Sequence, residues 1–436
     1  MAFIKPFRGI RYNNKFVPDL SKAICPPYDV ISQSGQENYH RLNKYNYIRI
    51  EHSQELPADD DSDNKYTRAL TTLEKWLDET VLIQDREPAI YIHDHYFNLG
   101  GKEYRRRTMI SAVRVEDWSK MIIRPHEGTL PKARSDREML LRSLKANTSP
   151  VFAMYEDGDN TVGSMLENLT NIAPHVATTG YDDDRHELWI ITEPRAVRAL
   201  SCMFESKPLY IADGHHRYES ALKYRREQEA LLGVTTGEES FNFLMMELVS
   251  ITDPGLVILP SHRLIRGVRW GNINGLIPRL EELFDITEFH LDKLNSWNSI
   301  DDELTRPGAT RMVLFGLGGD RVYVLAVKDQ NKLNSMMPAF HSELYKSLDV
   351  SIVDHIILES LLGLNDMTDL SRISFNHNRE EVIDLVRSGQ HQLAIILRTV
   401  KPETIITVAD AGERMPRKST YFHPKLPSGL VLNRLV

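Results

Sequence analysis

The segment from Pro208 to Glu219 constrains the fold of this chain more than any other part of the sequence. An apolar stretch with β-strand character runs into an Asp-Gly turn, and a helical pattern with Tyr218, Ala221 and Arg225 on one face begins immediately after it. Strand and helix patterns also alternate along the rest of the chain. The sequence therefore predicts a mixed protein of the α/β or α+β class.

The same turn carries candidates for anion binding. We expect Asp213 to be the N-cap and Gly214 to let the backbone approach a ligand, while the N–H groups of the first helical turn favour an anion. The cationic or titratable residues of this turn are His215, His216 and Arg217. Positive charge there destabilises the helix by about 0.3–1 kcal/mol per charge through its dipole, whereas a bound anion would interact favourably with the dipole. A capped helix with solvated side chains explains the same motif, so both interpretations stay open.

A second cluster of charge lies between Arg124 and Glu138, where a helix is predicted over 135–146. Ser135 and Glu138 have the spacing of a capping box, but the surrounding cations have the wrong sign for the dipole of that helix. The pattern favours either a second anion contact or an ion-pair network with neighbouring acidic residues. The candidate substrate-binding residues of this cluster are Arg124, His126, Lys132 and Arg137.

Glu127 follows His126 on the loop before that helix. A carboxylate in this position can accept the proton of a substrate hydroxyl, which is the work of a general base. A surface glutamate paired with Arg124 explains the residue equally well.

A proline-bearing loop without helix caps is predicted from residue 412 to residue 430. Irregular loops of this length usually line a site or lack order. Arg414, Lys418 and Ser419 have the donor types that bind phosphate and are secondary candidates. A structural clamp between domains would use the same residue types.

Composition and length limit the possible functions. The chain has 436 residues, which suggests two or three domains at roughly 100–200 residues each, and we place the boundary between 1–265 and 266–436. Its 53 Lys+Arg and 61 Asp+Glu residues give a net charge of −8, which argues against a broad nucleic-acid-binding surface. The oligomeric state cannot be inferred.

Further motifs speak against other classes of protein. Cys25 and Cys202 are the two cysteines, so a disulfide framework is excluded and a reducing compartment fits best. A signal peptide and an apolar run of about 18 residues are both absent, which predicts a cytoplasmic protein without a membrane partner. His93 and His95 share one strand face, but no third ligand is evident, so no metal site is predicted.

Five segments of the sequence together resemble the Domain of Unknown Function 1015 family. They are Pro26 to Ile31, Arg124 to Glu127, Ser149 to Phe152, Ala212 to Tyr218, and Gly412 to Leu430. The turn from Asp213 to Arg217 is also similar to the phosphate-binding turn of the ParB/sulfiredoxin-like superfamily. That superfamily includes nucleotide-dependent partition proteins, sulfiredoxins and ADP-dependent free-serine kinases.

The resemblance implies a ParB/sulfiredoxin-like phosphate-binding core with long insertions in residues 1–265, and a C-terminal α/β region that closes the site. It implies a nucleotide-dependent phosphotransferase acting on a small hydroxyl metabolite, with serine or phosphoserine as the first expectation. ADP or ATP would carry the phosphate and Mg²⁺ is expected. In this scheme Glu127 is the base, while His216 and Arg217 stabilise the transferring oxygens.

Two other functions are compatible with the same turn. With water as the acceptor, the protein would be a phosphomonoester hydrolase that releases phosphate from phosphoserine. Without catalysis, it would be a nucleotide-gated binding protein. The acidic composition speaks against DNA as the partner of such a protein.

Overall fold

The chain forms two compact units in the computed structural model, which describes residues 2–129, 131–291, 296–365, 369 and 371–435, without the side chains of 131–133 and 296. The first unit comprises Met1–Pro125, Thr129–Val257 and Phe422–Val436, and the second comprises His126–Gly128 and Ile258–Tyr421. The structural division at 257/258 differs from the predicted boundary at 265/266. The division lies before residue 265 because the strand His262–Ile265 is paired within the sheet of the second unit.

The first unit is built around a mixed sheet of nine strands, counted over the described residues. Ile123–Arg124 pairs in parallel with Leu209–Asp213, and Phe243–Ser250 pairs in parallel with Val151–Tyr155, whereas the other pairs are antiparallel. The mixed α/β class is confirmed. The spatial order is Ile123–Arg124, Leu209–Asp213, Val151–Tyr155, Phe243–Ser250, Lys102–Arg114, Ile90–Leu99, Arg185–Ile191 and Val176–Thr179, with Ile4–Lys5 paired to Lys102–Arg114.

Both faces of this sheet are covered by apolar side chains. Ile90 and Ile92 belong to one buried cluster, and Tyr91 between them belongs to another. Since successive strand residues point to opposite faces, a strand that is apolar at consecutive positions needs a layer on each side. The helices of this unit are Gln33–Leu42, Ile48–Glu51, Lys65–Asp78, Pro131–Leu144, Thr161–Leu169, Pro194–Phe204 and His215–Leu232, with short 3₁₀ turns at Tyr28–Val30, Trp118–Lys120 and Ser240–Asn242.

Two small strand pairs complete the first unit. Ile10–Tyr12 pairs with Leu82–Gln84, and Asn433–Arg434 pairs with Ala146–Asn147. The second of these pairs fixes the C-terminal end of the chain in the first unit.

The second unit contains a six-stranded sheet whose pairs are all antiparallel. Its order is Phe284–His290, Arg321–Val327, Arg311–Phe315, Leu393–Ile396, His262–Ile265 and Ile373–Asn376. The helices are Trp270–Asn274, Leu276–Glu281, Ser296–Thr305, Gln330–Met336, Glu343–Ser347, Asp349–Ile352, the π-helix Val353–Leu361, Arg379–Arg387 and Pro402–Asp410. Val257–Leu259 and Tyr421–His423 are short strands at the points where the chain passes from one unit to the other.

The predicted capping box at Ser135 and Glu138 is wrong, because the helix begins at Pro131 and Ser135 lies inside it. Proline is well suited to the first position of a helix, so the helix gains a turn before the predicted start. The sequence Asp253-Pro254-Gly255 also predicts a turn that joins 241–249 and 256–259 in a hairpin, and this prediction is wrong. Phe243–Ser250 is hydrogen-bonded on both edges, to Lys102–Arg114 and to Val151–Tyr155, and has no edge left for a third strand.

No helix within the described ranges is long and apolar enough to cross a membrane. Cys25 is buried, Cys202 is exposed, and both carry free thiols.

Candidate phosphate-binding site

The strand–turn–helix segment forms as the sequence predicts. Leu209–Asp213 is a strand with four buried apolar residues, and the 18-residue helix His215–Leu232 begins one residue after it. The N–H group of Tyr218 donates to the carbonyl of Gly214, and no side chain caps the helix at Gly214. The backbone of this first helical turn therefore has the arrangement that binds anions in other proteins.

Gly214 is required by two features of the turn. Its φ of 92° lies in the left-handed region, which side chains with a Cβ rarely adopt. A Cβ at this position would also lie 2.9 Å from Nε of Arg217. The guanidinium group of Arg217 thus lies directly over the glycine.

Asp213 is not the N-cap, in contrast to the prediction. It ends the strand, and its carboxylate accepts hydrogen bonds from Nη2 of Arg217 at 2.8 Å and from Nζ of Lys425. Gly214 occupies the cap position because only a residue at positive φ joins this strand to this helix. The carboxylate therefore holds two cations beside the turn instead of capping the helix.

Lys425 was missed by the sequence analysis. It lies in the 412–430 segment, but its spacing from the other basic residues there carries no signal. Its partner Asp213 is 212 positions away. A contact of that separation cannot be inferred from local pattern.

The Arg217 guanidinium is fixed from a second side by the segment Ser149-Pro150. Its Nη1 donates to Oγ of Ser149 at 3.2 Å and to the carbonyl of Pro150. Ser149 in turn donates to Oε1 of the buried Glu51 at 3.1 Å. Asp213, Ser149 and Pro150 thus bind Arg217 directly, and Glu51 acts on it through Ser149.

Arg137 lies in the same hydrogen-bonded network. Its Nη1 donates to the carbonyl of Glu51 at 3.2 Å, its Nη2 donates to Asp136 at 2.5 Å, and the guanidinium covers the ring of Tyr28 at 3.8 Å. Burial lowers the pKa of Arg137, but Glu51 and Asp136 outweigh it, so that pKa lies above its ordinary value. The sequence allowed either an anion contact or an ion-pair network for Arg137, and the structure shows the ion-pair network.

The space between these arginines is filled by protein. Arg137, Ser149 and Arg217 line a cavity of about 30 Å³, which is the volume of about one water molecule. A metabolite cannot enter on this side of Arg217, so a ligand of the turn must approach from another side.

The other candidates of the first unit lie on neighbouring elements. His215 is buried and His216 half-buried on the first helical turn. Arg124 lies on the strand parallel to Leu209–Asp213, where its Nη1 donates to the hydroxyl of Tyr210 at 3.0 Å. The side chain of Lys132 is outside the described residues.

The remaining candidates belong to the second unit and form a group of their own. Glu127 accepts hydrogen bonds from the backbone N–H groups of Lys418, Ser419 and Thr420 at 3.2, 3.0 and 3.1 Å, and from the Thr420 hydroxyl at 3.0 Å. His126 is buried, and its Nε2 lies 3.0 Å from that hydroxyl.

These contacts change the interpretation of the 412–430 segment. The backbone donors of Lys418 and Ser419 bind the carboxylate of Glu127, and the Ser419 hydroxyl donates to the carbonyl of Pro416 at 2.5 Å. Arg414 is half-buried in the same segment. The described geometry is that of a loop clamped around one carboxylate.

No group of three or more His, Cys, Asp or Glu side chains in the described parts of the chain is arranged to hold a metal ion. Both oxygens of the Asp213 carboxylate are bound by cations, Arg217 and Lys425. This carboxylate therefore does not fit the role of a Mg²⁺ ligand, and a Mg²⁺ ion at the turn would be held by nucleotide phosphates and waters.

A family model described as "Protein of unknown function (DUF1015)" matches residues 4–351 of the sequence. The chain belongs to this family. In this DUF1015 protein the matched range includes the whole turn, Glu51, Arg137 and Ser149, and it ends before Lys425. No curated protein matches the sequence.

Several solved structures are similar to this DUF1015 chain at low identity. A conserved hypothetical protein from Pyrococcus furiosus is 13% identical, with 72% of this chain and 92% of that chain covered and a TM-score of 0.36. A free serine kinase in complex with AMP is 13% identical, with 71% and 89% covered and a TM-score of 0.35. SbnI with a C-terminal truncation, from Staphylococcus aureus, is 12% identical, with 74% and 87% covered and a TM-score of 0.35. Scores of this size do not establish a shared fold, so the ParB/sulfiredoxin-like core stays a prediction.

Proposed function

We propose that the first unit binds the phosphate groups of ADP or ATP at the Asp213–Arg217 turn and transfers a phosphoryl group to a small metabolite with a hydroxyl group. Serine and phosphoserine are the acceptor and product to test first, because the family resemblance implies them. The transfer is reversible in principle, and either direction uses the same residues.

The observation that carries the proposal is the charge around Asp213. One carboxylate is paired with two cations, Arg217 and Lys425, at the uncapped start of an 18-residue helix. Two cations and the positive end of the helix dipole lie together at this point, and each of them favours an anion.

Phosphoryl transfer depends mainly on positioning and on electrostatic stabilisation of the transferring oxygens. The bond between phosphorus and the nucleotide oxygen breaks as the bond to the acceptor oxygen forms, and the hydroxyl proton passes to a base. Arg217 is held by hydrogen bonds to three residues, so little reorganisation is needed when it binds the transferring group. We assign His216 the second contact. Mg²⁺, when bound through the nucleotide, would neutralise phosphate charge next to Asp213.

Glu127 remains the candidate for the base that accepts the hydroxyl proton. Its carboxylate is oriented by three backbone donors and one hydroxyl, all of them from residues 418–420. Hydrogen bonds to a carboxylate stabilise its charged form, so these contacts support the anchoring of that loop, whereas the assignment of Glu127 as the base rests on the resemblance. The variant Glu127→Gln separates the two roles.

The test is a transfer assay with the full chain, serine, Mg²⁺ and either ADP or ATP. We expect phosphoserine and the corresponding dephosphorylated nucleotide to form together. Arg217→Ala and His216→Ala are expected to abolish turnover, whereas Arg226→Ala on the exposed face of the same helix is expected to retain it. Release of phosphate from phosphoserine at the same rate with and without nucleotide would instead identify a hydrolase.

Binding of ADP, measured by calorimetry, tests the turn independently of the acceptor. We expect Arg217→Ala to lose binding and Arg226→Ala to keep it. Equal binding by both variants would move the nucleotide site away from this turn.

A further inference from the structure

The second unit contains a cavity of about 810 Å³ that no part of the proposed reaction uses. It lies at the end of the strand Leu393–Ile396, where the chain continues through residues 397–401 into the helix Pro402–Asp410. Apolar side chains and several cations line it together. We call it the second-unit cavity.

A buried histidine faces this cavity with an unused donor. His262 is 2% exposed, and its Nδ1 accepts a hydrogen bond from the backbone N–H of Leu397 at 3.1 Å. The neutral ring therefore carries its proton on Nε2, and no described residue accepts a hydrogen bond from that atom. Burial, with Arg379 and Arg263 nearby, lowers the pKa of His262 to about 4, so the ring is neutral at pH 7.

Arg398 lines the same cavity and is half-buried. Its guanidinium group makes no hydrogen bond or ion pair with any residue that the structure describes. Asp349 is near enough to respond to its charge: burial raises the pKa of Asp349, and Arg398 opposes that rise. A guanidinium group that lines the cavity without a direct protein partner can bind an anion that enters it.

The cavity has an excess of positive charge. Arg379 is paired with Asp301 at 2.6 Å, so these two charges cancel. Arg398 and Lys401 then outnumber the remaining carboxylate, that of Asp349, by one. Leu304, Leu348 and Val400 give the cavity an apolar part that a simple inorganic ion would not need.

We propose that the second-unit cavity binds a small phosphorylated metabolite, with its phosphoryl group held by Arg398, Lys401 and the Nε2–H of His262. These three donor groups come from two segments of the unit. They match the three terminal oxygens of a phosphoryl group better than the two oxygens of a carboxylate. The volume of the cavity is in the range of small-molecule sites. This site is separate from the turn at Asp213, and its test does not depend on transfer activity.

The test uses pyrophosphate as the probe and calorimetry on the full chain in an Arg217→Ala background, which removes binding at the first-unit turn. We expect one equivalent to bind. Adding Arg398→Gln is expected to weaken binding by about tenfold or more, since a charge-assisted hydrogen bond is lost. Adding Arg321→Gln, an exposed arginine that does not line the cavity, is expected to leave binding unchanged.

A second variant distinguishes the loss of a ligand contact from misfolding around the half-buried Arg398. Lys401 is exposed, so Lys401→Gln keeps the fold and is expected to weaken pyrophosphate binding, while the exposed Lys328→Gln does not. Three results would overturn the proposal: no binding in the Arg217→Ala background, binding that Arg398→Gln and Lys401→Gln leave unchanged, or tighter binding of citrate than of pyrophosphate.

Discussion

The carboxylate of Asp213 and the ammonium group of Lys425 form an ion pair across 212 positions of sequence. Arg217 binds the other oxygen of the same carboxylate at 2.8 Å. Asp213 thus holds two cations at the start of a helix, and one of them comes from the C-terminal segment of the chain. In the proposed function, Lys425 therefore adds a cation to the turn that the local sequence of the turn does not contain.

Lys425→Met is expected to weaken ADP binding by about tenfold, because it removes one of the two cations that the proposal places beside the phosphate groups. Calorimetric titration of ADP measures the change. Lys120→Met, which removes a partly exposed lysine paired with Glu116, is the matched control and should bind ADP normally. Unchanged affinity in Lys425→Met would show that Lys425 only stabilises the fold.

Gly214→Ala is expected to destabilise the protein by about 1–3 kcal/mol, since φ is positive there and the new Cβ would meet Arg217. It should also reduce ADP binding, because Arg217 has to move. Urea unfolding measures the stability. Gly158→Ala, at a glycine with open space and no positive φ, should be nearly neutral, and equal losses in both variants would contradict the strain argument.

Glu127→Gln should retain ADP binding and lose phosphoryl transfer if the carboxylate accepts the hydroxyl proton. The amide oxygen can still accept from Ser419 and Thr420, but the amide nitrogen cannot accept from Lys418, so a loss of stability on the order of 1 kcal/mol is expected. The assay compares binding with turnover. Loss of ADP binding in this variant would make Glu127 a structural anchor of the 418–420 loop.

Asp184, whose Oδ2 accepts from Nε2 of His95 at 2.9 Å, contributes stability that is lost as the pH rises from about 4 to about 7. Burial and the neighbouring Asp182 raise the pKa of Asp184 to about 7. The folded protein therefore binds a proton in this range that the unfolded chain has released, so raising the pH favours unfolding.

The variant Asp184→Asn cannot titrate at this position, so its melting temperature should rise relative to that of the unmodified protein as the pH increases from about 4 to about 7. Asp61→Asn, at an exposed position in another loop, should keep the pH dependence of the unmodified protein. Parallel curves for all three proteins would exclude Asp184 as the source of the slope.

Part of this structure follows from short stretches of sequence. The uninterrupted apolar run before the Asp-Gly turn predicts the strand at 209–213, and the helical spacing after Gly214 predicts the helix that begins at His215. His93 and His95 share a face, as the two-residue period of a strand requires, and their rings stack at 5.9 Å. These features depend on backbone geometry within a few residues, and a sequence carries that information directly.

The long-range partners of the charged side chains were decided by the tertiary structure. Asp213 has the residue type of an N-cap, but its carboxylate pairs with Arg217 on the first turn of the helix and with Lys425, 212 positions away. Glu127 has the residue type of a base or a surface ion-pair partner, and backbone donors from residues 418–420 bind it instead. Which cation meets which carboxylate depends on contacts hundreds of positions apart, and these are set by how the sheets and loops pack, because no local pattern encodes the distance between them.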